Sequence, residues 1–190
     1  MTDSSVAAPR RGVPLWAQII IWVFLVALLG IVAVGLMRAQ QGTVQKGQVI
    51  KNFTLPLYTD YDMGGKTEIQ LEDLRGKVVV LNFWASWCKP CEQEAAELQQ
   101  AWTEYEPTGQ VVFLGADYVD TEPEARVYLK KFGITYTNGP DLATKISQYF
   151  RIKGVPETYF IDKNGVLQYV QIGPFGSVDD IRAQIDPLLK

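Results

Sequence analysis

Cys88-Lys89-Pro90-Cys91 holds both cysteines of this 190-residue sequence. Two thiols separated by two residues at the start of a helix form a dithiol with two distinct positions. The first sulfur lies at the helix N-terminus, where unpaired N–H groups and the helix dipole favour a thiolate. The second, one turn on, can reach back and close a disulfide. Pro90 fits there, because the first helical turn has no use for its N–H. The chemistry such a pair offers is thiol–disulfide exchange. Other readings of the pair fail on residue type. Haem attachment needs a His after the second Cys, and Glu92 stands there. A four-ligand zinc site lacks two ligands. The sequence has no His, which removes Ser-His-Asp and Cys-His catalysis and His-bound copper or zinc. A single-cysteine peroxidase has no need of the pair and no Thr at the usual spacing before Cys88. Two buried structural cysteines are the bland alternative. The net charge of -3 excludes a chain built to coat nucleic acid.

The residues around the pair supply a scaffold. Val78 to Phe83 (VVVLNF) is a continuous apolar, β-branched run, the mark of a strand buried on both faces. Pro90 to Tyr105 is rich in Glu, Ala, Gln and Leu and reads as a helix. The dithiol therefore falls at a strand-to-helix junction, beside Trp84 and Trp87. Val111 to Gly115 is a second buried strand. Glu122 to Phe132 reads as a helix with Thr121 as N-cap and Glu124 completing a capping box. Asn138-Gly139-Pro140 reads as an entry turn to a helix over Asp141 to Arg151. Thr158 to Ile161 and Val166 to Ile172 flank the hairpin turn Asn164-Gly165. Val178 to Leu189 closes the chain as a helix. Nearer the start, Phe53–Leu57 and Lys66–Leu71 suit a hairpin across the loop Thr59–Gly65. Strands alternating with helices predict an α/β domain, a central mixed sheet with helices on both faces.

The apolar residues are unevenly spread. Leu15 to Met37 runs 23 residues without a charge, and a bilayer core needs about 20 in a helix. A cleaved signal peptide would have a shorter apolar region, of about 7–15 residues. Residues 15–37 are therefore expected to be an uncleaved transmembrane anchor, with 1–14 as a tail and the polar, Gln-rich 38–48 as a linker. Residues 49–190 are long enough to bury a single-domain core. Four of the 18 basic residues (Arg10, Arg11, Arg38 and Lys46) and one of the 21 acidic (Asp3) precede residue 49, so that domain is the more acidic part. Basic residues flank the span on both sides, so charge counting leaves the orientation open.

WASWCKPC after an apolar strand resembles thioredoxin. The wider pattern, FTLPL, LEDLRGKVVVLNFWASWCKPC and GVPETYFIDKNG, is similar to the TlpA/ResA/CcmG (DsbE) family of membrane-anchored thiol–disulfide oxidoreductases over about residues 49–190. That resemblance implies a thioredoxin-like fold behind one transmembrane helix. It implies an extracytoplasmic domain on a bacterial cell membrane, the amino terminus in the cytoplasm and one span through the bilayer. Cys88 matches the attacking cysteine and Cys91 the resolving one. Pro156, after Val155, matches the cis-proline loop that faces the dithiol, and Trp87 offers an apolar surface to substrate. The implied partners are a disulfide-containing protein, such as apocytochrome c or a copper-site assembly protein, and a membrane electron donor that re-reduces the pair. No cofactor beyond the redox-active Cys88–Cys91 pair, no metal and no nucleic acid is implied. An oxidant that inserts disulfides, or a redox-silent interaction module, uses the same parts. One departure matters. Thioredoxin has a buried Asp six residues before the first Cys, and here Asn82 stands there, which cannot take a proton. Glu94 matches an acid of the ResA-like proteins and Glu157 the Glu of the CcmG-type loop, so these two are the expected proton acceptors for Cys91.

Overall fold

The computed structural model describes residues 14–40 and 44–190. The tail carrying Arg10 and Arg11, and residues 41–43 of the expected linker, lie outside the described residues. Helix α1 spans Leu15–Gln40, three residues beyond the expected end. Its Leu15–Met37 portion has a mean hydropathy of 3.0 and no buried share. At 1.5 Å per residue that portion is about 34 Å long, enough to cross a hydrocarbon core of ~30 Å.

In the domain, β1 (Thr54–Pro56) and β2 (Glu68–Gln70) pair as the expected hairpin. Then come β3 (Val78–Trp84), α2 (Lys89–Tyr105), β4 (Val111–Asp117) and α3 (Glu122–Lys131). They are followed by β5 (Thr137–Pro140), α4 (Lys145–Phe150), β6 (Glu157–Ile161), β7 (Leu167–Ile172) and α5 (Val178–Leu189). The main sheet has the order β5-β4-β3-β6-β7. Strands β3, β4 and β5 run parallel, β6 is antiparallel to β3, and β7 is antiparallel to β6. β3 is central and wholly buried, as its unbroken apolar run requires.

Alternation along β3 divides the core. Val78, Val80 and Trp84 face a layer formed by α2, α3 and α5, which also holds Cys88 and Cys91. Val79, Leu81 and Phe83 face a layer closed by Ile50, the β1–β2 hairpin and α4. Helix α2 buries Cys91, Glu94, Ala95, Leu98, Ala101 and Tyr105, a stripe at helical spacing. Phe83, Phe150 and Tyr159 meet edge-on or tilted in the second layer. Each fully buried side chain of this size contributes about 1.5–3 kcal/mol.

Three expectations need correction. Asn138-Gly139-Pro140 is no turn: it is the edge strand β5, bonded to the segment after β1 through Tyr58 N–H to Asn138 O and Asn138 N–H to Tyr61 O. The glycine serves close approach, since a Cβ on Gly139 would overlap the carbonyl of Pro56. The single helix expected over Asp141–Arg151 is a short 3-10 turn, Leu142–Thr144, followed by α4. Ala143 and Thr144 have φ of 55° and break it, while the Asp141 carboxylate accepts from Ile146 and Ser147 N–H at 2.8 Å each. The capping box at Thr121 is absent, because the Thr121 hydroxyl bonds the Glu124 carboxylate instead of a backbone N–H. Within the stretch 38–48, read as a linker, several described residues make backbone bonds. Residues 38–40 are helical, Gly47 N–H donates to Leu167 O, and Leu167 N–H donates to Gln48 O.

Candidate active site

Strand β3 ends at Trp84, and a tight loop carries the chain to α2. Cys88 N–H returns to Ala85 O at 3.1 Å, and Cys88 then caps α2, its Sγ accepting from Cys91 N–H at 3.1 Å. Cys88 and Cys91 are joined in a disulfide, with Cα atoms 5.3 Å apart. Both are buried, but Cys88 sits at the domain edge beside Trp87, which is 58% exposed. The indole N–H of Trp87 donates to Val119 O at 3.1 Å, so its ring is held outward. Trp87 is thus a surface group, and its packing in the core is excluded. Opposite lies Val155, whose carbonyl oxygen is 3.5 Å from Cys88 Sγ, and the Val155–Pro156 peptide bond is cis. Lys89 and Lys131 both pair with Glu92, whose carboxyl they hold below its usual range.

The two expected proton acceptors lie on different faces. Glu94, one turn after Cys91, is 1% exposed on the face of α2 that packs on the sheet. Its Oε1 accepts from Asn82 Nδ2 at 2.8 Å and its Oε2 from Phe175 N–H at 3.1 Å. Asn82 also donates to Thr158 Oγ1 at 2.9 Å, its cross-strand neighbour in β6. Burial pushes the Glu94 carboxyl up to about 7, against the opposing pull of its two donors. Glu157 is equally buried, yet strand alternation puts it beside Tyr159 in the other layer. Its Oε2 accepts from the Tyr159 hydroxyl at 2.7 Å and its Oε1 from Lys153 N–H at 2.6 Å. It thereby ties down the chain just before the Val155–Pro156 loop.

Sequence reasoning missed how Asn82 serves. It cannot take a proton, but it donates to the acid that can. It also missed the braces on the dithiol loop. Asp120 Oδ2 accepts from Ser86 N–H at 2.6 Å, and Trp84 Nε1 donates to Asn138 Oδ1 at 2.9 Å. A Cβ on Gly115 would overlap that Asn138 oxygen and crowd the indole, which gives a physical reason for glycine in mid-strand. No spacing rule announces such long-range pairs.

A thioredoxin-like domain with a buried Cys-x-x-Cys disulfide capping its first sheet-covering helix defines a thiol–disulfide oxidoreductase. The chain belongs to the AhpC/TSA family, whose pattern matches residues 46–170, a stretch containing both cysteines and the cis-proline loop. It is 33% identical over 144 residues to a thiol-disulfide oxidoreductase ResA of Bacillus cereus, covering 75% of this chain and 80% of that one. It is 32% identical over 133 residues to the thioredoxin-like protein YneN of Bacillus subtilis, covering 68% and 73%. Among solved structures, a Chlorobium tepidum protein described as a DsbE-type thiol:disulfide interchange protein superposes with a TM-score of 0.69 at 26% identity. That match covers 77% of this chain and 99% of the other. StoA from Bacillus subtilis shares the fold with a TM-score of 0.60 at 18% identity, covering 72% and 98%.

Proposed function

We propose that this oxidoreductase is a membrane-tethered reductase of extracytoplasmic protein disulfides, with apocytochrome c or a copper-site assembly protein as substrate. The observation that carries the reading is one chain joining an exposed apolar helix of bilayer length to a dithiol domain. The resemblance to the ResA and DsbE proteins supports the direction and the substrate class. In this reading residues 15–37 span a bacterial cell membrane once, with the amino terminus cytoplasmic. A donor in the same membrane re-reduces the pair, which tethering presents to it at high effective concentration.

The exchange proceeds in two displacements. The Cys88 thiolate, favoured at the N-terminus of α2, attacks one sulfur of the substrate disulfide. A Cys88–substrate disulfide forms, and the other substrate sulfur leaves as a thiolate and takes a proton. Backbone at the half-buried Val155 pairs with the substrate chain as an added strand, and Trp87 covers its apolar flank. Cys91 then passes its proton to Glu94 and attacks Cys88 Sγ. The second substrate thiol leaves reduced, and the Cys88–Cys91 disulfide returns. A group pushed to about 7 suits this role, since it both accepts and releases a proton near neutrality.

The test is the reduction potential of the full chain in detergent, equilibrated with defined thiol buffers. Thioredoxin-like reductants lie at about -270 mV and strong oxidants near -120 mV. A value near or below the former is expected. A value near the latter would make the protein an oxidant of exported chains, and absence of a reversible couple would leave an interaction module.

A further inference from the structure

A second buried acid lies outside this mechanism, at the end of β4. Asp117 Oδ2 accepts from the Tyr58 hydroxyl at 2.7 Å. Asp117 Oδ1 is fully buried, and no N–H or O–H group of the described residues reaches it. A buried carboxylate oxygen left without a donor loses its hydration uncompensated. An oxygen that carries the proton itself has no such need, because it becomes the donor. Asp120, three residues on, is the neighbouring carboxylate whose charge acts on Asp117, and so the acceptor available to such a proton.

Asp120 is also tied to the dithiol loop. Its Oδ2 accepts from Ser86 N–H at 2.6 Å and its Oδ1 from Thr121 N–H at 2.8 Å. Between the two acids, Val119 has φ of 50°, a left-handed conformation unusual for a β-branched residue. Its carbonyl receives the Trp87 indole N–H. The β4–α3 loop thus spends its bonds on Ser86 and Trp87, the two residues before Cys88.

We propose that Asp117 and Asp120 share one proton and act as positioning residues, together holding Ser86-Trp87-Cys88 in the geometry from which Cys88 attacks. Burial first, and then the charge of Asp120, push the Asp117 carboxyl up to about 7. Asp117 therefore holds its proton in mild acid and loses it above neutrality. Burial and the Asp117 bond hold the Tyr58 phenol far above its ordinary range. Arg126, 5.5 Å over the Tyr58 ring, is paired with Glu122 at 2.8 Å and Asp60 at 3.8 Å. From the β5 side, the Asp141 carboxylate is occupied by Ile146 and Ser147 N–H. Losing the shared proton sets two carboxylates against each other and slackens the hold on Ser86 and Trp87.

The inference rests on Cys88 as the attacking thiol. The test uses the full chain in detergent, with 19F-labelled tryptophan and the Trp87 signal assigned from Trp87→Phe. In the oxidised protein the cysteines do not titrate. The Trp87 resonance is expected to titrate near neutrality in wild type and in Glu94→Gln. It should lose that step in Asp117→Asn, whose amide donates permanently. Asp120→Asn, which removes the charge beside Asp117, should move the step to lower pH. In the reduced protein, the pH profile of attack on a small aromatic disulfide should lose the same step in Asp117→Asn and keep it in Glu94→Gln. Superimposable wild-type and Asp117→Asn profiles would overturn the proposal, and so would a step abolished by Glu94→Gln alone. Alkylation that labels Cys91 before Cys88 would instead refute the assignment of the attacking thiol, with the fluorine titration still deciding on the acid pair.

Discussion

Glu94 and Glu157 are both buried glutamates near the ends of elements that frame the disulfide, yet the sheet separates them. Glu94 shares a layer with Cys88 and Cys91 and is bonded through Asn82 to the central strand. Glu157 shares the other layer with Tyr159 and bonds the backbone that leads into the cis-proline loop. Burial alone would have made them equivalent. What distinguishes them is strand parity: Asn82 pairs with Thr158, and Glu157, one residue earlier, points the opposite way. In the mechanism proposed above Glu94 exchanges a proton with Cys91, while Glu157 bonds the backbone before the loop facing Cys88.

The largest effect tests the chemistry on the Glu94 side. Cys91→Ser is expected to reduce turnover to background while a Cys88–substrate disulfide accumulates, detectable on a non-reducing gel. Failure to accumulate it would remove the resolving role. Next is Glu94→Gln, which is close in shape and keeps one of the two accepted hydrogen bonds but not the proton site. Resolution in single-turnover exchange should slow by about 10²-fold, within the usual span for general acid–base groups. Its inflection near pH 7 should disappear, and Glu157→Gln should leave that inflection in place. A lost inflection in Glu157→Gln would invert the comparison. Stability reports on the same group. An acid raised from 4.5 to about 7 stabilises the fold most when protonated. That contribution is complete below about 4.5 and is lost as pH rises through about 7. Glu94→Gln should flatten this part of the urea midpoint-versus-pH curve for the oxidised protein.

A smaller effect tests the other side. Glu157→Ala leaves Lys153 N–H and the Tyr159 hydroxyl without their acceptor, at a cost of about 1–3 kcal/mol. The expected result is a lower denaturation midpoint and weaker substrate binding with an unchanged pH profile. A purely kinetic phenotype at full stability would contradict the bracing role.

Much of this was legible in the sequence because it is local. The apolar run of β3, the helix after it, Cys88 and Cys91 at the junction, the apolar helix over 15–37 and α5 all follow from short-range pattern. Strand β5 was misread because glycine and proline beside Asn138 look like a turn, whereas its neighbours are the backbone of Tyr58 and Tyr61, distant in sequence. The choice between Glu94 and Glu157 was hidden for a related reason. It depends on the β3–β6 register, which no single strand encodes. Asp117 and Asp120 gave no signal because their partners Tyr58 and Ser86 come from two other segments.

The smallest effect is the sharpest probe of the separation. Asn82 donates to the ionised form of Glu94, so it holds that carboxyl lower than burial alone would. Asn82→Ala should therefore move the resolution inflection to higher pH without removing it. The same change strips a donor from Thr158 and leaves a small cavity, so some stability is lost regardless of Glu94. A double-mutant cycle separates the two consequences. In the Glu94→Gln background, Asn82→Ala should still lower stability but have no inflection to shift. In the Glu157→Gln background the alkaline shift should persist in full. A shift that vanished with Glu157 instead would mean that the proton crosses the sheet, and the two-face assignment would fail.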